Sequence, residues 1–198
     1  MRRRDDIQGL RAVAVLLVVL AHAGVPFLAG GFVGVDVFFV LSGYLITGLL
    51  LSDALENGRV SLLRFYVRRA RRILPAAALT LVATMIAAQH LLNFVRARDV
   101  VDDSVWAAFF AANTHFAAQG ADYFQQGQPA SPIQHFWSLS VEEQFYLVWP
   151  TLLGLVLFGL VRRRASRARL LAVIGLVGAA SLAWSVHETP SSPASTYF

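Results

Sequence analysis

The sequence predicts an all-α membrane protein, a polytopic transmembrane helical bundle of about five spans with one short in-plane or re-entrant segment. Three observations carry this. Of 198 residues, 57% are hydrophobic and only 15% charged, against about 25% charged in an ordinary soluble domain. The apolar residues gather into nearly uncharged runs of membrane-crossing length. All 17 basic residues are arginine, and they fall in blocks between those runs rather than along one patch. A net charge of +5 would suggest nucleic acid for a soluble domain, but the block placement argues against that partner. With no cysteine, disulfide scaffolds, Cys-type zinc sites and Cys nucleophiles are excluded.

A spanning helix needs about 20 mostly apolar residues. The first candidate is 12–28, broken only by His22. Its basic start resembles a signal peptide, but the His-Ala-Gly-Val-Pro exit is a poor cleavage site and further spans follow. The second is 31–51, with one charge, Asp36. The third is 73–92, with Pro75 near its start, where a helix tolerates proline. The fourth is 136–161 and the fifth 170–186. Residues 104–118 are apolar but too short to span, which makes them the in-plane or re-entrant segment. Neither an internal repeat nor a low-complexity tract is present.

The positive-inside rule orients the set. Arg2, Arg3, Arg4 and Arg11 precede or open span one. Arg59, Arg64, Arg68, Arg69, Arg71 and Arg72 follow span two, and Arg162, Arg163, Arg164, Arg167 and Arg169 follow span four. Five alternating spans put all of these on one side, so the N-terminus is cytoplasmic and 93–134 is an outer loop. The ending 189–198 is read as a further outer-side loop.

Ionisable residues at membrane depth are costly and are functional candidates by default. His22 and Asp36 flank a tight turn around Gly30 and Gly31 at nearly equal distances. On neighbouring antiparallel helices they lie within about 1.5 Å in depth. A histidine–carboxylate dyad would fix the imidazole tautomer for general-base work; the same spacing fits a hydrogen bond that merely satisfies two buried groups. In span four, helical spacing puts His135, Ser138, Glu142, Tyr146 and Trp149 on one face. Glu143 sits about 100° away, so one glutamate, Glu142, is expected to point into the bundle; alternatively both rest at a hydrated interface. Arg68/Arg71 and Arg69/Arg72 are i,i+3 pairs that fit a phosphate fork, or simple topology and anionic-lipid contact. Arg11 and His22 stand about 16 Å apart on one helix, the reach of a long donor with a phosphate head and a reactive tip. His90, His115 and His187 read as interfacial. The glycines of 30–34 and Gly43 read as points of close helix contact. No HExxH, GxSxG, P-loop or GxGxxG occurs, and no metal is expected.

These residues resemble one family. Arg11-x10-His22, then Gly30-Gly-Phe-Val-Gly-Val-Asp-Val-Phe-Phe-Val-Leu-Ser-Gly-Tyr44, look like the start of the membrane acyltransferase-3 family. Phe65-Tyr-Val-Arg-Arg-Ala-Arg-Arg-Ile-Leu-Pro75 and Trp137-Ser-Leu-Ser-Val-Glu-Glu-Gln-Phe-Tyr146 match two further family blocks. The resemblance covers essentially the whole chain and is closest to bacterial O-acetyltransferases of lipopolysaccharide, exopolysaccharide or peptidoglycan. It implies a bacterial inner-membrane enzyme moving an acyl group, acetyl by preference, from cytoplasmic acetyl-CoA to a hydroxyl of an extracytoplasmic glycan or lipid-linked sugar. It makes His22 the catalytic residue and matches Glu142 to the glutamate of the family's SVE block, while Asp36 stays the candidate that spacing offers to orient His22. It maps Arg11 and the Arg68/Arg71 or Arg69/Arg72 pair onto the donor site. His135, Ser138 and Tyr146 are the expected acceptor contacts. The family has about ten spans, so five correspond to its N-terminal half, with the C-terminal spans and membrane lipids as partners. The alternatives are a transporter or proton-relay protein using the same buried groups, and an inactive half-domain.

Overall fold

The structure is a computed structural model that describes residues 4–57, 61–119, 130–163 and 167–189. Among these residues the secondary structure is entirely helical: α1 (Asp5–His22), a 3-10 turn (Ala29–Phe32), α2 (Val33–Asn57), α3 (Leu62–Leu91), α4 (Phe94–Ala108), α5 (Ala112–Ala118), α6 (Phe136–Arg163) and α7 (Arg167–Glu188). Three stretches are long and apolar enough to cross a membrane: Ala29–Asn57, Leu62–Leu91 and Leu171–Glu188. Arg2, Arg3, Arg59, Arg164 and the ending 190–198 lie outside the described residues, as do the side chains of Arg162, Arg163, Arg167 and Arg169. The chain divides into two compact units, Met1–Val60 and Ser61–Phe198.

The first unit is the α1–α2 pair. Asp5 and Asp6 open α1, where acidic side chains favour the positive end of the helix dipole. Arg4 binds Asp6 through Nη2 at 2.7 Å and Nε at 3.0 Å, and holds its carboxyl down at about 2. The helix stops at His22, six residues before the expected end at 28. Gly24 adopts φ +70° and Pro26 follows, so the chain cannot continue as a helix. Residues 23–32 then carry it back alongside α1. A Cβ added to Gly31 would collide with the Leu17 carbonyl oxygen and come within 2.9 Å of the Ala21 Cβ. One added to Gly34 would collide with the Ala14 carbonyl oxygen. The expected close contact is therefore real at Gly31 and Gly34 and is absent at Gly30, which has nothing within 4 Å of such a Cβ. Small residues at this spacing let two backbones touch in an apolar medium, where burial of oil in oil supplies no drive.

The second unit is built on α3, α4, α5 and α6. Expected as a loop leading to a span at 73, the arginine-rich stretch is helical from Leu62 onward, and Pro75 sits inside α3 rather than at its start. Arginine is a good helix former, and proline costs one internal hydrogen bond, leaving the Arg71 carbonyl without its usual donor. Helices α3 and α6 run antiparallel: the Tyr66 hydroxyl donates to the Leu147 carbonyl at 3.0 Å, and Leu62 packs under Gly154.

Residues 104–118 do not form one in-plane piece. Asn93 caps α4 by accepting from the Arg96 N–H at 3.0 Å, which starts the helix ten residues earlier than expected. Phe110 takes φ +53° and turns the chain into α5. The turn is pinned to α6: the Ala112 N–H donates to Ser140 Oγ at 3.2 Å, and Gln144 Nε2 donates to the Phe110 carbonyl at 2.9 Å and to Asn113 Oδ1 at 2.8 Å. Ser140 is fully buried and Asn113 nearly so. The two helices form a hairpin whose tip satisfies its polar backbone against α6.

Candidate functional site

In the α1–α2 unit, His22 is the last residue of α1 and exposed. Its Nδ1 lies 2.8 Å from the Val18 carbonyl oxygen. A carbonyl can only accept, so Nδ1 carries the proton and in the neutral ring the lone pair lies on Nε2. The tautomer is thus set by backbone.

The expected equal depth of His22 and Asp36 does not hold. Gly31 lies against Leu17, Gly34 against Ala14, and the Arg11 guanidinium 4.8 Å from the centre of the Phe38 ring. That antiparallel register puts Asp36 level with Ala12, about ten residues or ~15 Å from His22 along α1. Asp36 also points the wrong way. Gly34 and Phe38 face α1, and a residue two positions from both faces away from it; Asp36 is exposed. The depth estimate assumed that both helices reach the turn, whereas residues 23–32 fold back before α2 begins. Arg11 is half-buried. Its Nε is buried without a hydrogen-bond partner, and its charge rests on the Phe38 face.

In the α3–α6 unit, one arginine and two glutamates meet. Arg69 Nε donates to Glu143 Oε1 at 3.0 Å and Arg69 Nη2 lies 3.5 Å from Glu142 Oε1. Its guanidinium lies 3.1 Å above the centre of the Tyr146 ring, and the Tyr146 hydroxyl donates to Glu142. Side-chain exposures are 17% for Arg69, 13% for Glu142 and 18% for Glu143. Both glutamates therefore face α3, correcting the expectation that only Glu142 could; 100° of separation is narrow enough for one fork to reach both. Arg69 is thus level with both glutamates.

The arginines of α3 divide. Arg69 shares a packed face with buried Phe65 and half-buried Tyr66. Arg64, Arg68 and Arg71 are exposed on the other face, and Arg72, one turn beyond Arg69, is exposed too. Arg68, Arg71 and Arg72 make no hydrogen bond or ion pair among the described residues. Of the expected donor-site residues these three are available, while Arg69 is committed to carboxylates.

Of the expected acceptor contacts, Tyr146 is buried in the arginine cluster. Ser138 Oγ donates to the His135 carbonyl at 3.1 Å, and His135, exposed, sits one residue ahead of α6. They share a helix end with Glu142 but make no described contact with it. The reading of His115 as interfacial is corrected: its Nε2 lies 2.9 Å from Asp103 Oδ1, and its side chain is only 10% exposed. The signal that could have found this is Asp103 itself, a carboxylate at a position that shares a helical face with Val100 and Ala107, both buried.

A family model described as an acyltransferase domain matches residues 4–198. The chain is 37% identical over 174 residues to a Listeria monocytogenes protein named "Peptidoglycan O-acetyltransferase OatA", covering 88% of this chain and 28% of that protein. It is 38% identical over 198 residues to the Bacillus subtilis "Putative peptidoglycan O-acetyltransferase YrhL", covering 97% and 30%. It is 40% identical over 165 residues to the Staphylococcus aureus (strain MSSA476) "Putative O-acetyltransferase SAS0844", covering 82% and 27%. The chain thus spans less than a third of the length of these relatives. No solved structure matches significantly. With a family match over nearly its full length, and with the His22, Arg68–Arg72 and Glu142–Glu143 motifs on helices, the chain belongs to the acyltransferase-3 family.

Proposed function

We propose that the chain is part of a membrane O-acyltransferase that moves an acetyl group from acetyl-CoA to a hydroxyl of an extracytoplasmic glycan, peptidoglycan being the acceptor of two named relatives. In this reading α1, α2, α3, α6 and α7 are five spans of a bacterial inner-membrane protein with a cytoplasmic N-terminus, the arrangement that best segregates the arginine blocks. Arg68, Arg71 and Arg72 supply the fork for the donor phosphates, since their charges have no partner among the described residues, and Arg11, whose Nε has no hydrogen-bond partner there either, is a further phosphate candidate. Asp36 has no part in orienting His22.

The observation that carries the reading is the Val18 carbonyl on His22 Nδ1. It leaves Nε2 as the base. Nε2 takes the acceptor hydroxyl proton as the oxygen attacks the thioester carbonyl. The C–O bond forms, the C–S bond breaks, and the departing thiolate receives the proton from the imidazolium. In the complete enzyme, His22→Ala is expected to lower acetyl transfer by about 10²–10⁴-fold, the usual contribution of a general base. Radiolabelled acetyl incorporated into isolated glycan measures it, with membrane abundance followed by immunoblot. Wild-type incorporation by His22→Ala would exclude the assignment, and solute uptake by vesicles without acetyl transfer would favour a transporter.

A further inference from the structure

The α4–α5 hairpin carries side chains that the proposed reaction does not use. Asp103, 8% exposed, accepts from His115 Nε2 at 2.9 Å. The imidazole in turn stacks on Trp106, with ring centres 5.2 Å apart and planes 14° from parallel. Asp103 thus fixes His115, and His115 fixes the indole. Trp106 itself remains 43% exposed. Asp102, one helical turn back on the same face, is 65% exposed and lies 3.7 Å from His115 Nε2.

A rigid, open aromatic face beside an open carboxylate suits a particular ligand chemistry. A sugar ring presents an apolar C–H face bordered by hydroxyl donors, and uses both features at once. A purely apolar ligand would leave Asp102 desolvated without a partner. A phosphate would meet two carboxylates. We propose that Trp106 and Asp102 form a saccharide subsite, with one ring of the acceptor stacked on the indole and its hydroxyls donating to Asp102. His115 and Asp103 are positioning residues beneath it. This deepens the glycan-acceptor reading and rests on it. The placement fits: Trp106 is one turn from Phe110, whose carbonyl accepts from Gln144, two residues from Glu142.

The test is isothermal calorimetry of the detergent-solubilised chain with chitotetraose, a β-1,4-linked N-acetylglucosamine oligosaccharide, with no acyl donor present. Wild type is expected to bind saturably. Trp106→Ala and Asp102→Asn each weaken binding by about tenfold, and Trp106→Phe retains most of it. All variants should keep wild-type helicity by circular dichroism. If His22→Ala still transfers acetyl, the reaction assignment fails while the binding result stands by itself. No saturable heat with wild type, or equal affinity in Trp106→Ala, overturns the subsite. So does quenching of Trp106 fluorescence by brominated lipid without any response to the oligosaccharide, which would make the indole a bilayer-interface anchor.

Discussion

Replacing Arg69 with Leu is expected to destabilise the chain by about 3–5 kcal/mol, the cost of removing one partner from a buried ion pair. Glu142 and Glu143 would be left within reach of each other, both mostly buried, with no cation between them. Like charges so placed cannot both remain ionised without penalty. Tyr146 would also lose the guanidinium on its ring. Arg69→Lys should fall between, because an ammonium keeps the charge but cannot present a planar fork to two carboxylates and an aromatic face. Adding Glu143→Gln to Arg69→Leu should recover part of the loss by removing one of the stranded charges. Thermal unfolding of the purified chain in detergent, followed by circular dichroism, measures all three. An unchanged midpoint for Arg69→Leu would mean that the cluster adds nothing to stability. By contrast Arg68→Leu, at an exposed position without a partner among the described residues, should leave the midpoint within about 0.5 kcal/mol of wild type.

The second large effect is expected at Gly34. A valine there puts its Cβ into the Ala14 carbonyl oxygen and within 3.0 Å of the Val18 side chain. The obstructing atom is backbone, so no rotamer change relieves it, and α1 and α2 must part. Overpacking typically costs about 1–3 kcal/mol, occasionally more, and a backbone clash lies at the upper end. Gly30→Val is the control, since nothing lies within 4 Å of its added Cβ. Cysteines placed at Arg11 and Phe38, which touch across the pair, would allow cross-linking distances in both backgrounds to be compared. A Gly34→Val chain with unaltered α1–α2 spacing would contradict the close approach.

Much of this was legible in sequence. Helical class and the existence of each long helix follow from apolar runs and from residue types, which are local properties. Close contact at Gly31 and Gly34 was legible because glycine inside an apolar helix has few other uses. What escaped was register. His22 and Asp36 were matched by counting from a turn whose path is set by Gly24 and Pro26, and ten residues of fold-back moved them about 15 Å apart. The arginines show the same limit. Periodicity groups Arg69 with Arg72, but only the packing of α3 on α6 separates Arg69, facing two glutamates, from its exposed neighbours. Asp103 with His115 is a contact between two helices joined by a strained residue, Phe110, and no periodicity reports it.

The antiparallel register of α3 and α6 bears on the lipid around them. Their charged contact lies near the first turns of both helices, so the two overlap only there and extend in opposite directions from it. Arg69 is 22 residues from the end of α3 and Glu142 is 21 from the end of α6. End to end the pair measures roughly 60 Å, twice a hydrocarbon core of about 30 Å. That length is not one apolar stretch, because Arg64, Arg68, Arg69, Arg71 and Arg72 stand in its middle; only the part of α3 from Ile73 to Leu91, about 28 Å, matches the core, which puts the charged contact at a membrane surface. Acyl-chain length of the host lipid then becomes a variable in its own right, with thickness working on an ion cluster that salt and pH alone would be thought to govern.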